Sequence, residues 1–435
     1  MDSSDSGVFR LASVGSYLDA LSSITHEMSL RDRSNLIHLD RCLHALWGLG
    51  ENVVLNWSPR ERGIDLLLVP HYAIARYSSS ELEGRDPTPE SFLRSLLSGR
   101  RQLEPDRLLK VARLLNIDVT HLALQHPLAD NDSQHSVIER MIKRYSITYV
   151  PCRAVALFDI VGFGLLSPFA QMTQLNSLSY SLNSAQSKLS RKRIGIDFAR
   201  STTGDGFYVW NTDLSLDANM NLYHFMHLVL ADNAIARAKA DQNVVPRLRA
   251  GFHVGGSYEF HQAEGLNPTL YHYIVGDVTV DLARMIEQAE PDQILIGDFE
   301  AQMRFLDGDS PGWVTLDAID FVARATRHVE QLRGLVLAGE RIDRIRCYLT
   351  GAKLESGEFT VRRLQINDKH GRMRSVFNSK ANIYRSNSAP ILLGIQDRDL
   401  APERRRRERS DHVLRALQPD PARDLSPVPN RDRAS

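Results

Sequence analysis

The chain has 435 residues, 43% of them hydrophobic, which is enough for two or three domains with substantial cores. Its 53 Lys and Arg residues balance its 53 Asp and Glu residues, so no overall basic field would hold the protein on nucleic acid. The 3 cysteines lie far apart, which fits neither a disulfide framework nor a zinc site built from paired cysteines.

The start of the chain and its apolar stretches carry no export or membrane signal. Residues 1–6, Met-Asp-Ser-Ser-Asp-Ser, are polar and acidic, and no stretch approaches about 18 consecutive apolar residues. We therefore expect a cytoplasmic protein that does not insert into a membrane.

Residues 1–146 are predicted to form a mainly helical regulatory or sensor domain. Apolar residues recur at helical spacing in two segments, with Gly99 and Pro105 as the boundary signals between them. The order helix, Ser-Gly-Arg-Arg, helix within residues 90–123 resembles the back half of a repressor-type helix-turn-helix domain. Two interpretations stay open: a helical packing or regulatory module, and DNA contact through Arg100 and Arg101.

Residues 136–145 predict a short amphipathic helix that links this domain to the next. Its predicted apolar face holds Val137, Ile138, Met141 and Ile142, and its solvent face Glu139, Arg140 and Lys143. We interpret it as an interdomain packing helix, with signal transmission as the alternative.

Strand-like and helix-like segments alternate from residue 147 to about residue 300. Their order predicts an α+β fold of the split βαβ, ferredoxin-like kind, in a domain that extends over residues 147–390. Residues 391–435 are predicted to be a disordered tail, because Arg and Pro dominate from Asp397 onward and no aromatic residue follows.

Two aspartates are the most informative residues of this second domain. Asp159 ends a strand-like run, and Asp205 lies in Thr-Thr-Gly-Asp-Gly-Phe; each opens a turn that contains glycine. Pairing of the two strands would bring the carboxylates to one sheet edge, about 4 to 5 Å apart. Such a pair suits Mg²⁺ or Mn²⁺, whose coordination is usually completed by water and substrate phosphates.

Residues 150–300 resemble the catalytic domain of class III nucleotidyl cyclases through several motifs in order. These are Phe158-Asp-Ile-Val-Gly-Phe, Thr203-Gly-Asp-Gly-Phe, Arg249-Ala-Gly-Phe-His-Val-Gly, Val275-Gly-Asp with Leu282-Ala-Arg-Met, and Gln293-Ile-Leu-Ile. The resemblance implies an enzyme that cyclises a nucleoside triphosphate and releases pyrophosphate.

The resemblance also implies a role for each matching residue. Two divalent cations (Mn²⁺ or Mg²⁺) would be held by Asp159, Asp205 and the carbonyl of Ile160, and would serve in-line displacement. The turn with Gly162, Phe163 and Gly164 would offer backbone N–H groups to the phosphates. Arg284 would stabilise the charge that builds on the α-phosphate, with a surface ion pair to Glu287 as the alternative.

Two positions depart from the family pattern or match it loosely. The family's ribose-orienting asparagine falls on Val280, whose side chain cannot hydrogen-bond, so Asp281 is the candidate substitute. Lys369 is the candidate for a phosphate-binding lysine on a later strand, with surface exposure as the alternative.

The positions that select the base match neither purine pattern. The family's adenylyl cyclases usually carry Lys and Asp there, and its guanylyl cyclases Glu and Cys, whereas this chain has Ser201 and Tyr273. Tyr273 would occupy purine volume, Arg200 would reach a pyrimidine carbonyl, and Phe158 would narrow the pocket. The chain thus resembles the pyrimidine cyclases of bacterial anti-phage (Pycsar) systems, with UTP preferred to CTP.

The resemblance implies a homodimer whose product activates a downstream effector in antiviral defence. Two alternatives remain: a purine cyclase in which Tyr273 only packs in the sheet, and an inactive nucleotide-sensing regulator that binds DNA through residues 90–123. A nucleic-acid partner and a membrane partner are otherwise not expected.

Overall fold

The computed structural model describes residues 28–77, 89–128, 131–240, 244–263, 270–307, 310–352, 359–368, 371–400 and 413–418. The chain divides into two compact units, of which the first comprises residues 1–150 with 257–275 and the second residues 151–256 with 276–435. The division near residue 150 lies close to the predicted boundary at 146. The inclusion of residues 257–275 in the first unit was not predicted.

The first unit combines helices with a small sheet. In chain order its elements are Leu30–Trp47 (α1), Asn52–Arg60 (β1), Gly63–Pro70 (β2), Pro89–Leu97 (α2), Pro105–Leu115 (α3), Val119–Ala123 (β3) and Asp132–Arg144 (α4). Helices form most of its regular structure, as predicted, but β1, β2 and β3 form an antiparallel sheet that the sequence analysis missed. The strands β1 and β2 are buried along most of their length, and such continuous apolar runs lack the alternation that marks a half-exposed strand.

Helix α4 confirms the predicted helix at residues 136–145 and corrects one of its faces. The four predicted apolar residues are all 0% exposed. Glu139, however, is buried instead of solvent-facing, because its carboxylate accepts hydrogen bonds from Trp57 Nε1 at 2.9 Å and Arg101 N at 2.6 Å.

Arg101 corrects the proposal of DNA contact at this position. Its side chain is 0% exposed, and its guanidinium donates to the carbonyl oxygens of Leu96, Leu97 and Ile147 at 2.6, 2.5 and 2.8 Å. The segment that resembled a helix-turn-helix domain contains α2 and α3 and then continues into the strand β3.

The second unit is built on a large mixed sheet. Its elements and those shared with the first unit are Ile147–Ile160 (β4), Pro168–Arg191 (α5), Phe198–Thr202 (β5), Gly206–Asn211 (β6), Leu216–Lys239 (α6), Leu248–Ala263 (β7), Leu270–Val275 (β8), Asp277–Gln288 (α7), Ile294–Gly297 (β9), Glu300–Asp307 (β10), Ser310–Asp317 (β11), Ala318–His328 (α8), Val336–Leu337 (β12), Glu340–Leu349 (β13), Phe359–Asn367 (β14), Met373–Arg385 (β15), Ile391–Leu393 (β16) and Val413–Gln418 (β17).

The strand order of this sheet gives the fold class. The order is β12-β13-β15-β9-β7-β4-β6-β5, with β10 and β11 forming a separate hairpin. Within it the connection β4-α5-β5-β6-α6-β7 places the later strand β6 between β4 and β5, antiparallel to both. This is the split βαβ arrangement, so the predicted ferredoxin-like α+β fold is confirmed.

The two faces of the large sheet are covered by different helices. Ala154, Ala156, Phe158 and Ile160 of β4 point into the main hydrophobic core, together with apolar residues of α5, α6 and α8. Helix α7 packs on the opposite face, which we call the α7 face. The close approach of this helix depends on glycine at position 251, because a Cβ there would lie only 3.0 Å from Leu282 Cδ2. Since side chains alternate along a strand, Asp159 lies on the α7 face.

The prediction of a disordered tail from residue 391 is wrong for residues 391–400 and 413–418, which are ordered. Strand β16 pairs with β15, and Ile391 and Leu393 are buried. Asp397 accepts hydrogen bonds from Thr350 Oγ1 and Arg362 Nη1, both at 2.9 Å, so the ordered segment reaches Leu400. Strand β17 also pairs with β14. The remaining tail residues, 401–412 and 419–435, lie outside the described residues.

None of the helices in the described part of the chain combines the length and apolar character needed to cross a membrane.

Candidate active site

The structure brings Asp159 and Asp205 to the same end of the neighbouring strands β4 and β6. Asp159 lies opposite Gly206 in the antiparallel register, and Ile160 N donates to the carbonyl oxygen of Asp205 at 3.1 Å. Only glycine fits at position 206, because a Cβ there would lie 1.9 Å from the carbonyl oxygen of Phe158. The Asp-Gly sequence therefore permits the close strand approach that joins the two aspartates.

Asp159 is a buried carboxylate with one arginine at its side. Burial raises its pKa, the hydrogen bond and charge of Arg249 lower it, and the negative charge of Asp205 raises it further. Arg249 Nε lies 2.6 Å from Asp159 Oδ2, and Nη1 of the same arginine donates to the carbonyl oxygen of Ala289 at the end of α7. The net effect is a raised pKa, so Asp159 gives up its proton less readily than an exposed aspartate.

Tyr208 lies beside both carboxylates. Burial, and then the charges of Asp159 and Asp205, raise the pKa of Tyr208 to about 12. Its hydroxyl donates to the carbonyl oxygen of Thr279 at 3.0 Å. Tyr208 and Arg249 were not predicted as site residues, although Tyr208 lies three residues after Asp205 and Arg249 opens one of the recognised motifs.

The donor set fits a divalent cation that also binds substrate. Asp159 and Asp205 carry two negative charges, which the single positive charge of Arg249 leaves partly uncompensated. Among the described residues no group of three or more His, Cys, Asp or Glu side chains could hold a metal alone. Mg²⁺ is typically bound by one or two carboxylates with water and substrate phosphates, so two aspartates suffice for such a site.

The loop after Asp159 contains the two glycines of the predicted phosphate turn. Gly162 has φ of 70°, in the left-handed region that favours glycine. A Cβ on Gly164 would meet no atom within 4 Å, so packing within the protein does not require glycine there. Phe163 packs partly against the main core and begins a short 3₁₀ turn, Phe163–Leu165, before α5. Close approach of a ligand would account for Gly164.

Two predicted base-contacting residues lie on the wrong face of the sheet. Phe158 is 0% exposed in the main core, edge-on to Phe225, so its predicted role in narrowing the pocket is wrong. Arg200 donates to Asn183 Oδ1 of α5 at 3.0 Å, and α5 packs on the core face. Alternation along β5 places Ser201 on the α7 face instead, directly opposite Tyr208.

The predicted residues of α7 have partners within the protein. Asp281, the candidate substitute for asparagine, bonds to Arg374 and lies 3.4 Å from His253 Nε2, so its carboxylate is already engaged. Val280 is 48% exposed. Arg284 Nη1 lies 2.9 Å from Glu287 Oε1, which is the ion pair considered as the alternative for this arginine.

Tyr273 belongs to the first unit, on β8, and is described there by itself. Its ring stacks on Phe260 with centroids 5.6 Å apart and an interplanar angle of 15°, and the side chain is 37% exposed. It is thus packed along the hairpin but remains accessible. Lys369 lies outside the described residues.

No family model and no curated protein matches this chain. Among solved structures it is similar to the adenylyl cyclase CyaB from P. aeruginosa, with 14% identity over 56% of this chain and 97% of that one, at a TM-score of 0.29. It is also similar to the guanylate cyclase domain of RhGC from Catenaria anguillulae in complex with GTP, with 12% identity over 55% and 100% of the two chains, at 0.30. A bacterial light-regulated adenylyl cyclase gives 12% identity over 42% and 97%, at 0.25. TM-scores this low support no inference about function, so the proposed function rests on the residues of the site.

Proposed function

We propose that this chain is a metal-dependent nucleotidyl cyclase that converts a pyrimidine nucleoside triphosphate into a 3′,5′-cyclic nucleotide and pyrophosphate. One observation carries the proposal: two carboxylates, Asp159 and Asp205, meet at one sheet end, close enough for the charge of one to raise the pKa of the other. The sequence motifs around both aspartates add the reaction type.

Each site residue has its own role in the proposed reaction. Asp159, Asp205 and the carbonyl of Ile160 would hold divalent cations, which supply charge neutralisation for the triphosphate and acidify the ribose 3′-hydroxyl. The backbone around Gly162, Phe163 and Gly164 would bind the phosphates. The 3′-hydroxyl then loses its proton to solvent, and its oxygen forms a bond to the α-phosphorus as the bond to the pyrophosphate oxygen breaks. Arg284, released from Glu287, would stabilise the charge on the α-phosphate.

Our preferred substrate is a pyrimidine nucleoside triphosphate, because Ser201 and Tyr273 match neither purine pattern. UTP is preferred to CTP because the acceptor carbonyls of uracil fit an arginine and a tyrosine hydroxyl better than the amino group of cytosine does. The position of Arg200 on the core face weakens the pyrimidine argument, since this guanidinium points to Asn183. A purine cyclase with an unusual base pocket is therefore the second candidate. The third candidate is an inactive DNA-binding regulator. It is weakened because the side chain of Arg101 is buried and cannot contact DNA.

Product identification decides between these candidates. The protein is incubated with equal amounts of ATP, GTP, CTP and UTP and with Mn²⁺, and the products are analysed by mass spectrometry. We expect cyclic UMP and pyrophosphate from the unchanged protein and neither from Asp159→Ala. Cyclic AMP as the sole product would replace the pyrimidine assignment by the purine one, and the absence of all four cyclic products would remove the cyclase proposal.

We further propose a two-fold homodimer in which the aspartates and Arg284 act from opposite subunits, with the product activating an effector in anti-phage defence. Mixing the inactive variants Asp159→Asn and Arg284→Ala tests the dimer. Random pairing makes half of the dimers mixed, each with one intact site of two, so about one quarter of the activity should return. No recovery after subunit exchange would place both groups in one subunit.

A further inference from the structure

Tyr208 stands at the centre of the candidate site without a role in the proposed reaction. It lies on β6 directly opposite Leu157 of β4 and Ser201 of β5. Because side chains alternate, Tyr208 shares the α7 face with Asp159, whose own partner is Gly206, two residues earlier on β6. The ring of Tyr208 therefore lies between the strand end that carries the two aspartates and Ser201, at a position proposed to select the base.

The hydroxyl of Tyr208 leaves the sheet and binds helix α7. It donates to the carbonyl oxygen of Thr279 at 3.0 Å. Thr279 is in the first turn of α7 and directly precedes Val280, where the family pattern expects asparagine. Val280 and Arg284 are four residues apart, so they lie on the same stripe of this helix. One hydrogen bond thus connects β6, the strand that follows Asp205, to the helix of Arg284.

The remaining contacts of α7 explain why a directional bond matters there. Val278 and Leu282 pack over Gly255 and Gly251, and a Cβ on these glycines would come within 3.3 and 3.0 Å of them. Apolar packing of this kind is non-directional and allows small rotations or shifts along the helix axis. Gly276, at the N-cap, offers no side chain to fix the first turn.

Polar contacts hold α7 in its first turn, in its middle and just past its last residue. Arg374 bonds to Asp281 in the middle of the helix, and Arg249 donates to the carbonyl oxygen of Ala289 at its end, 3.2 Å away. Tyr208 supplies the contact in the first turn. Arg249 and Tyr208 also neighbour the two aspartates, so they connect the carboxylates with both ends of the helix.

We infer that Tyr208 is a positioning residue: its hydroxyl fixes the register of α7 on the sheet of its own subunit, and with it the placement of the Arg284 that this subunit presents to the aspartates of its partner. The inference rests on the proposed function for its effect on turnover, but the tether itself is a property of the fold. The hydroxyl acts through α7 and touches no reacting atom.

The first experiment removes only this hydroxyl. Tyr208→Phe keeps the ring, and Tyr180→Phe is the matched control, since Tyr180 is 68% exposed on α5. We expect kcat of Tyr208→Phe to fall about tenfold, the size of effect that one well-placed hydrogen bond gives, while KM and the Mn²⁺ activation constant stay within about twofold. The control should match the unchanged protein. A kcat within twofold of the unchanged protein, or a rise in KM alone, contradicts the inference.

The second experiment needs no turnover. Amide hydrogen exchange is followed in both variants, with Asp277–Gln288 compared with Leu216–Lys239, the buried helix α6. Loss of the tether should speed exchange in α7 of Tyr208→Phe by about fivefold and leave α6 unchanged. Equal acceleration in both helices would show a general loss of stability, and no acceleration in α7 would show that the tether has no effect; either result overturns the inference.

The two experiments separate the inference from the proposed function. If the unchanged protein cyclises no triphosphate but exchange in α7 responds to Tyr208→Phe, the function fails and the tether stands. If the protein is active and Tyr208→Phe behaves as the unchanged protein in both measurements, the function stands and the positioning role fails.

Discussion

The two units each contain a buried carboxylate next to an arginine, and the surroundings of the two carboxylates differ. Glu139 in the first unit accepts hydrogen bonds from Trp57 Nε1, Arg101 N and Gln102 N, at 2.9, 2.6 and 3.1 Å. Asp159 in the second unit has Arg249 at 2.6 Å but also faces the like charge of Asp205. The first group is surrounded by donors, and the second is placed against a repelling neighbour.

This difference is the one expected between a structural carboxylate and a functional one. A buried charge whose acceptor sites are filled contributes to a specific packing of its domain. A buried carboxylate kept next to a half-buried one, as Asp159 is next to Asp205, costs stability unless a cation joins them, and such strained electrostatics cluster at functional sites. The arginine alone therefore says little, because both carboxylates have one; the remaining neighbours decide the role.

Substitution of Asp159 should have the largest effect on activity. Asp159→Asn removes one proposed metal ligand and the repulsion by Asp205, so turnover should fall by about 10³-fold or more while the melting temperature stays equal or rises. The measurements are cyclic nucleotide formation and thermal unfolding. Asp217→Asn, whose side chain is 69% exposed, is the control. A stable, fully active Asp159→Asn variant would show that Asp159 does not differ from Glu139 in the way proposed.

Acid should destabilise the second unit through its buried imidazoles, among them those of His224, His227 and His253. Burial lowers the pKa of His227 to about 4, and burial with the charge of Arg374 lowers that of His253 to about 4, against an ordinary value of 6.5. The unfolded chain therefore binds protons first as the pH falls. Stability should be constant above pH 6.5 and decrease between 6.5 and 4, by roughly 3 kcal/mol per histidine.

Denaturant unfolding at a series of pH values measures this loss. His227→Gln should reduce the slope between pH 6.5 and 4, whereas His71→Gln, at an exposed position, should leave it unchanged. The same slope in all three proteins would show that other groups cause the acid sensitivity.

Substitution of Glu139 tests the structural carboxylate. Glu139→Gln replaces one acceptor oxygen by an N–H₂ group that faces N–H donors, so the free energy of unfolding should fall by about 2 to 3 kcal/mol. Turnover measured well below the melting temperature should stay near that of the unchanged protein. Glu104→Gln, on an exposed side chain, is the control. An unchanged unfolding free energy with lost activity would exchange the roles assigned to the two carboxylates.

The sequence predicted those features that short-range patterns encode. The ferredoxin-like connectivity and the meeting of Asp159 with Asp205 follow from the order of strands and from glycines that only a close approach requires, as at Gly206. Which face a side chain occupies was harder to predict. Phe158 and Arg200 are next to site residues in the sequence, but the alternation of a strand sends each to the core face, away from Asp159 and Ser201.

Long-range polar contacts could not be predicted from the sequence. Arg101 follows Arg100 in a polar turn, the usual setting of an exposed arginine, yet its carbonyl partners include Ile147, 46 positions away. Glu139 was assigned to the solvent face by helical periodicity, which carries no information about Trp57. Tyr208 and Thr279 are likewise brought together only by the packing of α7 on the sheet.

Substitution of Asp397, a third carboxylate with hydrogen-bond donors around it, should have the smallest effect. Like Glu139 it has filled acceptor sites, from Thr350 Oγ1 and Arg362 Nη1, but it lies in a terminal segment near the surface. Asp397→Asn should lower the free energy of unfolding by about 1 kcal/mol and should speed proteolysis after residue 390. Asp399→Asn, on an exposed neighbour, is the control. If the segment were held only by the apolar contacts of Ile391 and Leu393, the two variants would be cleaved at the same rate; faster cleavage of Asp397→Asn alone shows that the carboxylate anchors residues 391–400.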